Sequence, residues 1–300
     1  VLLKDFIAEG VSALEQLYPT AEAKNIILML CENRLGTKSY THIVEPDFAI
    51  KPNQLPPLQE DLKRLSDGEP IQYVIGEADF CGYRFKVTPD VLIPRPETEL
   101  LCREAVKLGS RIQRMREAYG KSARPVRVLD LCTGSGCIAW TIALEMPGCE
   151  VVGTDISKEA IKVASEQNFS LLLKEKEAIA PKFVVSDILD FSQEFDGDQF
   201  DIIVSNPPYI KESEKANMRV NVLNFEPHKA IFVSDEDPLI FYRAIARWAQ
   251  KFLAPDGKGL VEINELLAPE TTSVFKQADF ENTRTILDFY DKKRFVLFSK

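Results

Sequence analysis

From Leu2 to about Asp67 apolar residues recur at helical spacing: Phe6, Leu14 and Leu17, then Ile26, Ile27, Leu30 and Leu35, then Leu58, Leu62 and Leu65. The pattern predicts a small helical domain over residues 1–75. Its breaks fall at Tyr18-Pro19, with Thr20 placed to cap the next helix, and at Gly36, while Pro52, Pro56 and Pro57 precede the last helix. From Glu77 to Ile93 the period shortens to extended pieces around a turn at Gly82, which predicts a β-hairpin linker over residues 76–93. Pro94-Arg95-Pro96-Glu97-Thr98-Glu99 then leads into a helix running to about Leu108.

Beyond Pro125 strand and helix alternate. Strands are expected at Val126 to Leu131, Glu150 to Thr154, Phe183 to Val185, Phe200 to Ser205 and Gly259 to Ile263, and helices at 136–145, 158–175, 237–253 and 268–278. An antiparallel pair, Thr283 to Tyr290 and Arg294 to Phe298, closes the chain. Such alternation implies an α/β domain over residues 94–300, a Rossmann-like parallel sheet covered on both faces, with ligands at the carboxyl ends of its strands.

Composition narrows the classes. Hydrophobic residues at 45% and charged residues at 28% are ordinary globular usage. A net charge of −9 repels phosphate backbones and disfavours a nucleic-acid substrate. The one dense basic stretch, Arg111, Arg114 and Arg116 with Lys121 and Arg124, has only Tyr119 interleaved for base stacking, so it reads as a solvated helix end. The six cysteines form no C-x-x-C pair and have no nearby histidine, so no metal site is expected, and scattered thiols suit a reducing cytoplasm. No apolar run is long enough to span a membrane and no export signal is visible; Val1 is not an initiator methionine, so the natural chain is expected to begin upstream. Neither His42 nor His228 lies in a Ser or Cys constellation, so histidine base catalysis is not indicated.

Two motifs carry chemistry. The strand ending in Asp130 runs into Cys132-Thr133-Gly134-Ser135-Gly136, whose small residues let backbone approach a ligand closely. Alone this turn is weak evidence: it also serves as a plain strand-to-helix connection, and with Ala139 in the third glycine position a dinucleotide stays open. Asp155 ends the second strand at the spacing of a ribose-binding acid, with a helix N-cap as its alternative role, and Asp187 follows the third strand, where a carboxylate can meet an adenine amino group.

At the end of the fourth strand, Asn206-Pro207-Pro208-Tyr209 makes a rigid turn. The Asn206 side-chain oxygen and the Pro207 carbonyl are two acceptors for the two hydrogens of one NH2 group, and Tyr209 supplies an aromatic wall. Holding both hydrogens turns the nitrogen lone pair toward an electrophile. Phe80, Tyr83 and Phe85 can wall the same pocket or fill a hairpin core, and Arg95, Glu97 and Glu99 can shape its mouth or pair along the following helix.

The two motifs resemble those of class I S-adenosylmethionine-dependent methyltransferases, in which the Asn-Pro-Pro-Tyr form is shared by DNA amino-methylating enzymes and protein-glutamine methyltransferases. Glu69-Pro-Ile-Gln-Tyr-Val-Ile-Gly76, Val91-Leu-Ile-Pro-Arg-Pro-Glu-Thr-Glu99 and Asn224-Phe-Glu-Pro-His-Lys-Ala230 resemble the PrmC/HemK family, the release factor glutamine methyltransferases, and the likeness runs over nearly the whole chain. The resemblance implies a seven-stranded sheet with a reversed last strand. It implies methylation of the amide nitrogen (N5) of the glutamine in the Gly-Gly-Gln motif of peptide-chain release factors, with S-adenosylmethionine as cofactor, S-adenosylhomocysteine as product and no metal. Carried over, Asp130, Cys132, Thr133, Gly134, Ser135, Gly136 and Asp155 hold the cofactor, Asp187 and Ile188 border its adenine, and Asn206 to Tyr209 hold the glutamine, with Asn206 also beside the cofactor. Cys132, where the family usually has glycine, and Ile188, where some members have a large aromatic, are departures. The helical domain reads as a docking surface for the release factor, and the stretch from Ser110 to Arg124 has no assigned role. The competing readings are an amino-methylating DNA or RNA enzyme, which needs a basic groove and a target-recognition region, and a noncatalytic cofactor-binding docking module, which predicts a damaged Asn-Pro-Pro-Tyr where this one is intact.

Overall fold

Five helices carry the apolar stripes of the first part of the chain: α1 (Leu3–Leu14), α2 (Thr20–Leu35), α3 (Thr41–Val44), α4 (Leu55–Ser66) and α5 (Ile71–Ile75). Leu3, Phe6, Ile7, Gly10 and Leu14 face one way on α1 and meet Ala23, Ile26, Ile27, Leu30 and Cys31 of α2. The helices cross where Gly10 has no side chain, since a Cβ there would lie 2.7 Å from Ile27. Two details differ from the sequence reading. Pro19, not Thr20, is the residue before α2: its fixed φ of −55° aims the chain into the helix, and Thr20 is already inside. Pro56 and Pro57 lie in the first turn of α4, where a missing N–H leaves no bond unmade.

The computed structural model describes residues 1–118, 124–193, 195 and 199–300. These form two compact units, 1–77 with 218–226, and 78–217 with 227–300. The hairpin, β1 (Glu77–Phe80) and β2 (Tyr83–Lys86), turns through Cys81 at φ 51° and Gly82 at φ 78°, the paired left-handed conformation that suits the twist of two-residue hairpins. Apart from Glu77 it groups with the larger unit.

In that unit α6 runs from Thr98 to Ala118, well past the expected end at Leu108. Then follow β3 (Arg127–Leu131), α7 (Cys137–Glu145), β4 (Glu150–Asp155), α8 (Lys158–Ser165), α9 (Ser170–Lys176), β5 (Lys182–Val185) and β6 (Phe200–Ser205). The single helix expected over 158–175 is thus two. Short β7 (Ile210–Lys211) and β8 (Phe232–Val233) pair in parallel and flank α10 (Val220–Phe225), which lies in the smaller unit. There Arg219 pairs with Glu22 at 2.7 Å and Asn221 donates to the Tyr18 hydroxyl at 3.4 Å. The chain ends with α11 (Ile240–Phe252), β9 (Leu253–Glu262), α12 (Ala268–Gln277), β10 (Arg284–Leu287) and β11 (Lys293–Ser299).

The main sheet has seven strands in the order β10-β11-β9-β6-β3-β4-β5, parallel except for β11, which is antiparallel to both neighbours. The expected fold class and reversed strand are therefore present. Alternate residues divide between two apolar layers. Val128, Ile202, Val204 and Leu260 pack with α6, α7 and the hairpin, and Leu129, Leu131, Ile203 and Val261 pack with Tyr242 and Trp248 of α11 and Phe275 of α12. The strand order reverses between β3 and β6, and the crevice at such a reversal is where open α/β sheets bind ligands.

Candidate active site

After β3 the chain passes through three left-handed residues, Cys132 at φ 62°, Gly134 at 53° and Gly136 at 77°. A side chain on Gly134 would meet nothing within 4 Å, whereas one on Gly136 would press on Ala164 and Phe183 at 3.0 Å. Gly134 thus leaves room for a ligand, and Gly136 serves the packing of α7 on the sheet. Thr133 and Ser135 are buried and belong to the frame of the turn. The Thr133 hydroxyl donates to Asp130 Oδ2 at 2.6 Å, and the Ser135 carbonyl accepts from Gln167 Nε2 at 3.0 Å.

Asp155 ties the turn down: its Oδ2 accepts from the Gly134 N–H at 2.9 Å and its Oδ1 from the Ser157 N–H at 3.0 Å. The cap of α8 is Ser157, whose hydroxyl accepts from the Ala160 N–H at 3.0 Å. Asp155 is therefore not the capping residue and keeps acceptor capacity on each oxygen for ribose hydroxyls. Asp187 accepts from the Leu189 N–H at 2.9 Å, and Ile188 is buried in the layer around Trp248, whose indole donates to the Ile188 carbonyl at 2.8 Å. Burial pushes the Cys132 thiol well above its usual range, and Asp155, Asp130 and Asp187 push it the same way. The expected strand-end acids gather around one turn.

Asp130 is fully buried, and its Oδ1 has no partner among the described residues. Burial raises its pKa to about 7, against the Thr133 hydroxyl and the Ala139 N–H. A buried carboxylate oxygen lacking a donor suits a cationic ligand group such as an α-ammonium. Together with Asp155 and the open face of Gly134, it makes a donor and acceptor set that fits S-adenosylmethionine.

One strand away, Ser205 pairs with Leu131 in register, and its hydroxyl donates to the Leu131 carbonyl at 2.7 Å. Asn206 follows, half-buried, with Nδ2 donating to the Thr98 hydroxyl at 3.3 Å; among the described residues no donor reaches its side-chain oxygen. Pro207 and Pro208 are buried, and the Tyr209 hydroxyl donates to Glu262 Oε1 at 2.9 Å. Burial, then Glu262, holds the Tyr209 phenol well above its usual pKa.

Thr98 and Glu262 were not singled out from the sequence. The Thr98 hydroxyl donates to Glu262 Oε2 at 2.7 Å, and Glu262, 1% exposed, has its pKa raised by burial against the two hydroxyls and Arg294. A lone carboxylate in the apolar strand Gly259-Leu-Val-Glu-Ile263 is the signal that could have found it, because unpaired acids are almost never fully buried.

Phe80, Tyr83, Phe85 and Glu99 have structural partners. Phe80 and Phe85 are core, with Phe85 5.1 Å from Phe169 ring to ring, while Tyr83 packs edge-on against Phe169 at 5.9 Å. Glu99 accepts from the Cys81 N–H at 2.9 Å and pairs with Arg103. The stretch without a role acquires one: Arg116 at 3.1 Å, Arg124 at 2.7 Å and the Arg127 N–H at 3.0 Å all donate to the buried carboxylate of Asp201. Tyr119 and Lys121 lie outside the described residues. Among the described residues no group of His, Cys, Asp and Glu is placed to hold a metal ion, and no helix is long and apolar enough to cross a membrane.

A family model described as a methyltransferase domain matches residues 123–286, and one described as the PrmC N-terminal domain matches residues 5–76. The chain is 37% identical over 284 residues to a release factor glutamine methyltransferase of Bacteroides thetaiotaomicron, covering 95% of each chain. It is 34% identical over 299 residues to a protein of the same name in Flavobacterium psychrophilum, covering 99% of this chain and 98% of the relative. Among solved structures, the hMettl16 catalytic domain superposes with a TM-score of 0.50 at 12% identity, covering 83% of this chain and 82% of that one, a likeness of fold alone.

Proposed function

This chain belongs to the release factor glutamine methyltransferase family, and on that premise we propose that it methylates the side-chain amide nitrogen of the Gly-Gly-Gln glutamine of peptide-chain release factors, using S-adenosylmethionine. One observation carries the reading. The acid-ringed turn after β3 and the Asn206 turn after β6 sit side by side, because Leu131 and Ser205 are partners in register on strands about 4.8 Å apart. A methyl donor at the first and an amide at the second would be neighbours.

S-adenosylmethionine supplies, when bound, an electrophilic methyl on a sulfonium sulfur. Asp155, which holds Gly134 in place, would accept ribose hydroxyls, Asp130 Oδ1 would meet the ammonium, and Asp187 with Ile188 would border the adenine. The Asn206 side-chain oxygen and the Pro207 carbonyl accept the two hydrogens of the substrate amide. An amide is a poor nucleophile, since its lone pair is delocalised. Holding both hydrogens favours the localised lone pair and aims it at the methyl carbon, so orientation supplies most of the rate. After transfer the surplus proton leaves to water. The helical unit supplies the docking surface for the release factor, and the reading places the enzyme in the cytoplasm with its substrate.

The test is mass spectrometry of a purified release factor incubated with S-adenosylmethionine and either wild type or Asn206→Ala. A single added methyl on the glutamine, formed about 100-fold or more slowly by the variant, is expected from loss of one of two orienting acceptors. No transfer to the factor, alongside methylation of DNA or RNA, would replace this reading with the nucleic-acid one.

A further inference from the structure

An asparagine can face a substrate amide with its oxygen or with its NH2 group, and only the oxygen accepts the substrate's hydrogens. The two orientations differ by a flip that leaves the shape of the side chain unchanged, so packing alone does not choose between them. Hydrogen bonding must, and the choice at Asn206 leads to a residue that does not touch it.

Glu262 sits at the end of β9, buried, with a hydroxyl donor on each carboxylate oxygen: Tyr209 on Oε1 at 2.9 Å and Thr98 on Oε2 at 2.7 Å. Each carboxylate oxygen accepts from one of these hydroxyls, Tyr209 on Oε1 and Thr98 on Oε2. A threonine hydroxyl has one hydrogen. With that hydrogen committed to Glu262, Thr98 can only accept from its other neighbour, Asn206, 3.3 Å away. The Asn206 NH2 end is thereby drawn to Thr98, and the oxygen is left facing away from it.

We infer that Glu262, acting through Thr98, is the positioning residue that turns the Asn206 carbonyl oxygen toward the substrate amide. The same carboxyl group fixes the Tyr209 hydroxyl, so both ends of the Asn-Pro-Pro-Tyr turn are keyed to one buried side chain. The Asn264 side chain braces the turn further, donating from Nδ2 to the Tyr209 carbonyl at 3.3 Å. The inference rests on the glutamine-methylating reading, because it concerns which atom of Asn206 that amide meets.

Thr98→Val keeps the shape of the side chain and removes the hydroxyl. Glu262→Gln keeps the shape and adds a donor, so one of the two hydroxyls must reverse. Each is expected to lower kcat for release-factor methylation about 10- to 100-fold, the scale of a misoriented reacting group. KM for the factor and affinity for S-adenosylhomocysteine are expected to stay near wild type for Thr98→Val, while Tm falls because Glu262 Oε2 loses its donor. The double variant is expected to be no slower than the slower single one, because both act on the same hydrogen. Thr98→Ser, which keeps the hydroxyl, is expected to restore turnover relative to Thr98→Val. Thr98→Val with wild-type kcat overturns the inference, as does a loss confined to KM, a loss accompanied by lost cofactor binding, or a double variant whose losses multiply. A wild type that transfers no methyl to the factor overturns the reading beneath it, and the inference falls with it.

Discussion

At the scale of single residues, the candidate cofactor site holds a buried acid whose ionisation is linked to folding. Asp130 titrates near 3.8 when solvated and near 7 in the fold, with burial as the main cause. Below the lower value both states carry the proton and the fold has its full contribution from this group. As pH rises from about 4 to about 7 the unfolded chain ionises first, so stability falls, by about 4 kcal/mol for a shift of this size, and above about 7 the effect is flat. Asp130→Asn is expected to remove this slope. The difference in Tm between variant and wild type, without cofactor, should grow in favour of the variant from pH 5 to pH 8; equal slopes would show that Asp130 is not the protonated group. The acids of the candidate site stood out because each follows an apolar strand, while the alternative for Asp155, a helix N-cap, is removed only by the structure, where Ser157 takes that place. The left-handed backbone of Cys132 did not stand out, since a cysteine carries no signal for φ of 62°; only its contrast with the glycine usual in related turns pointed there.

Among the elements, the helix that periodicity predicts as continuous over 158–175 breaks between α8 and α9. Gln167 lies in the gap, buried, and its amide accepts from the Lys86 N–H at 2.9 Å and donates to the Lys86 carbonyl at 2.9 Å and the Ser135 carbonyl at 3.0 Å. It completes the edge of β2 and fastens it to the glycine turn. Gln167→Ala is expected to destabilise the protein by about 2 kcal/mol, the cost of leaving such backbone groups unpaired, and to weaken cofactor binding because the Ser135 peptide loses its anchor. Thermal melts and calorimetry with S-adenosylhomocysteine check both, and unchanged affinity would confine Gln167 to the hairpin. The main strands were legible from apolar runs, and β6 matched residue for residue. The excess length of α6 was not, because its last turns are polar and are held by Arg116 against Asp201, a contact 85 residues away in sequence. Thr98 and Glu262, 164 residues apart, were hidden for the same reason: local pattern does not encode which distant partner a buried polar group will find.

On the scale of the whole molecule, residues 218–226 belong with the helical unit although they interrupt the catalytic one, so the helical unit is not a simple N-terminal appendage. Glu22 and Tyr18 hold Arg219 and Asn221, and a side chain on Gly68 would lie 3.7 Å from Phe225. The acids and glycines of the candidate cofactor site, and the Asn206 turn with Thr98 and Glu262, all lie in the other unit, which has its own apolar layers and both tryptophans. If the helical unit docks the release factor and takes no part in chemistry, the two should be separable. Removing residues 1–77 alone would strip Arg219 and Asn221 of their partners, so the informative variant also replaces 218–226 with a short glycine–serine linker. It is expected to bind S-adenosylhomocysteine within about threefold of wild type, since ligand affinity follows the groups that touch it. Methylation of the intact release factor should fall at least about 100-fold at limiting concentration, because docking contacts that lower KM are gone while the transfer site remains. Calorimetry and mass spectrometry on one preparation separate these effects. Full methylation by the reduced chain would assign substrate recognition to the Asn206 turn alone.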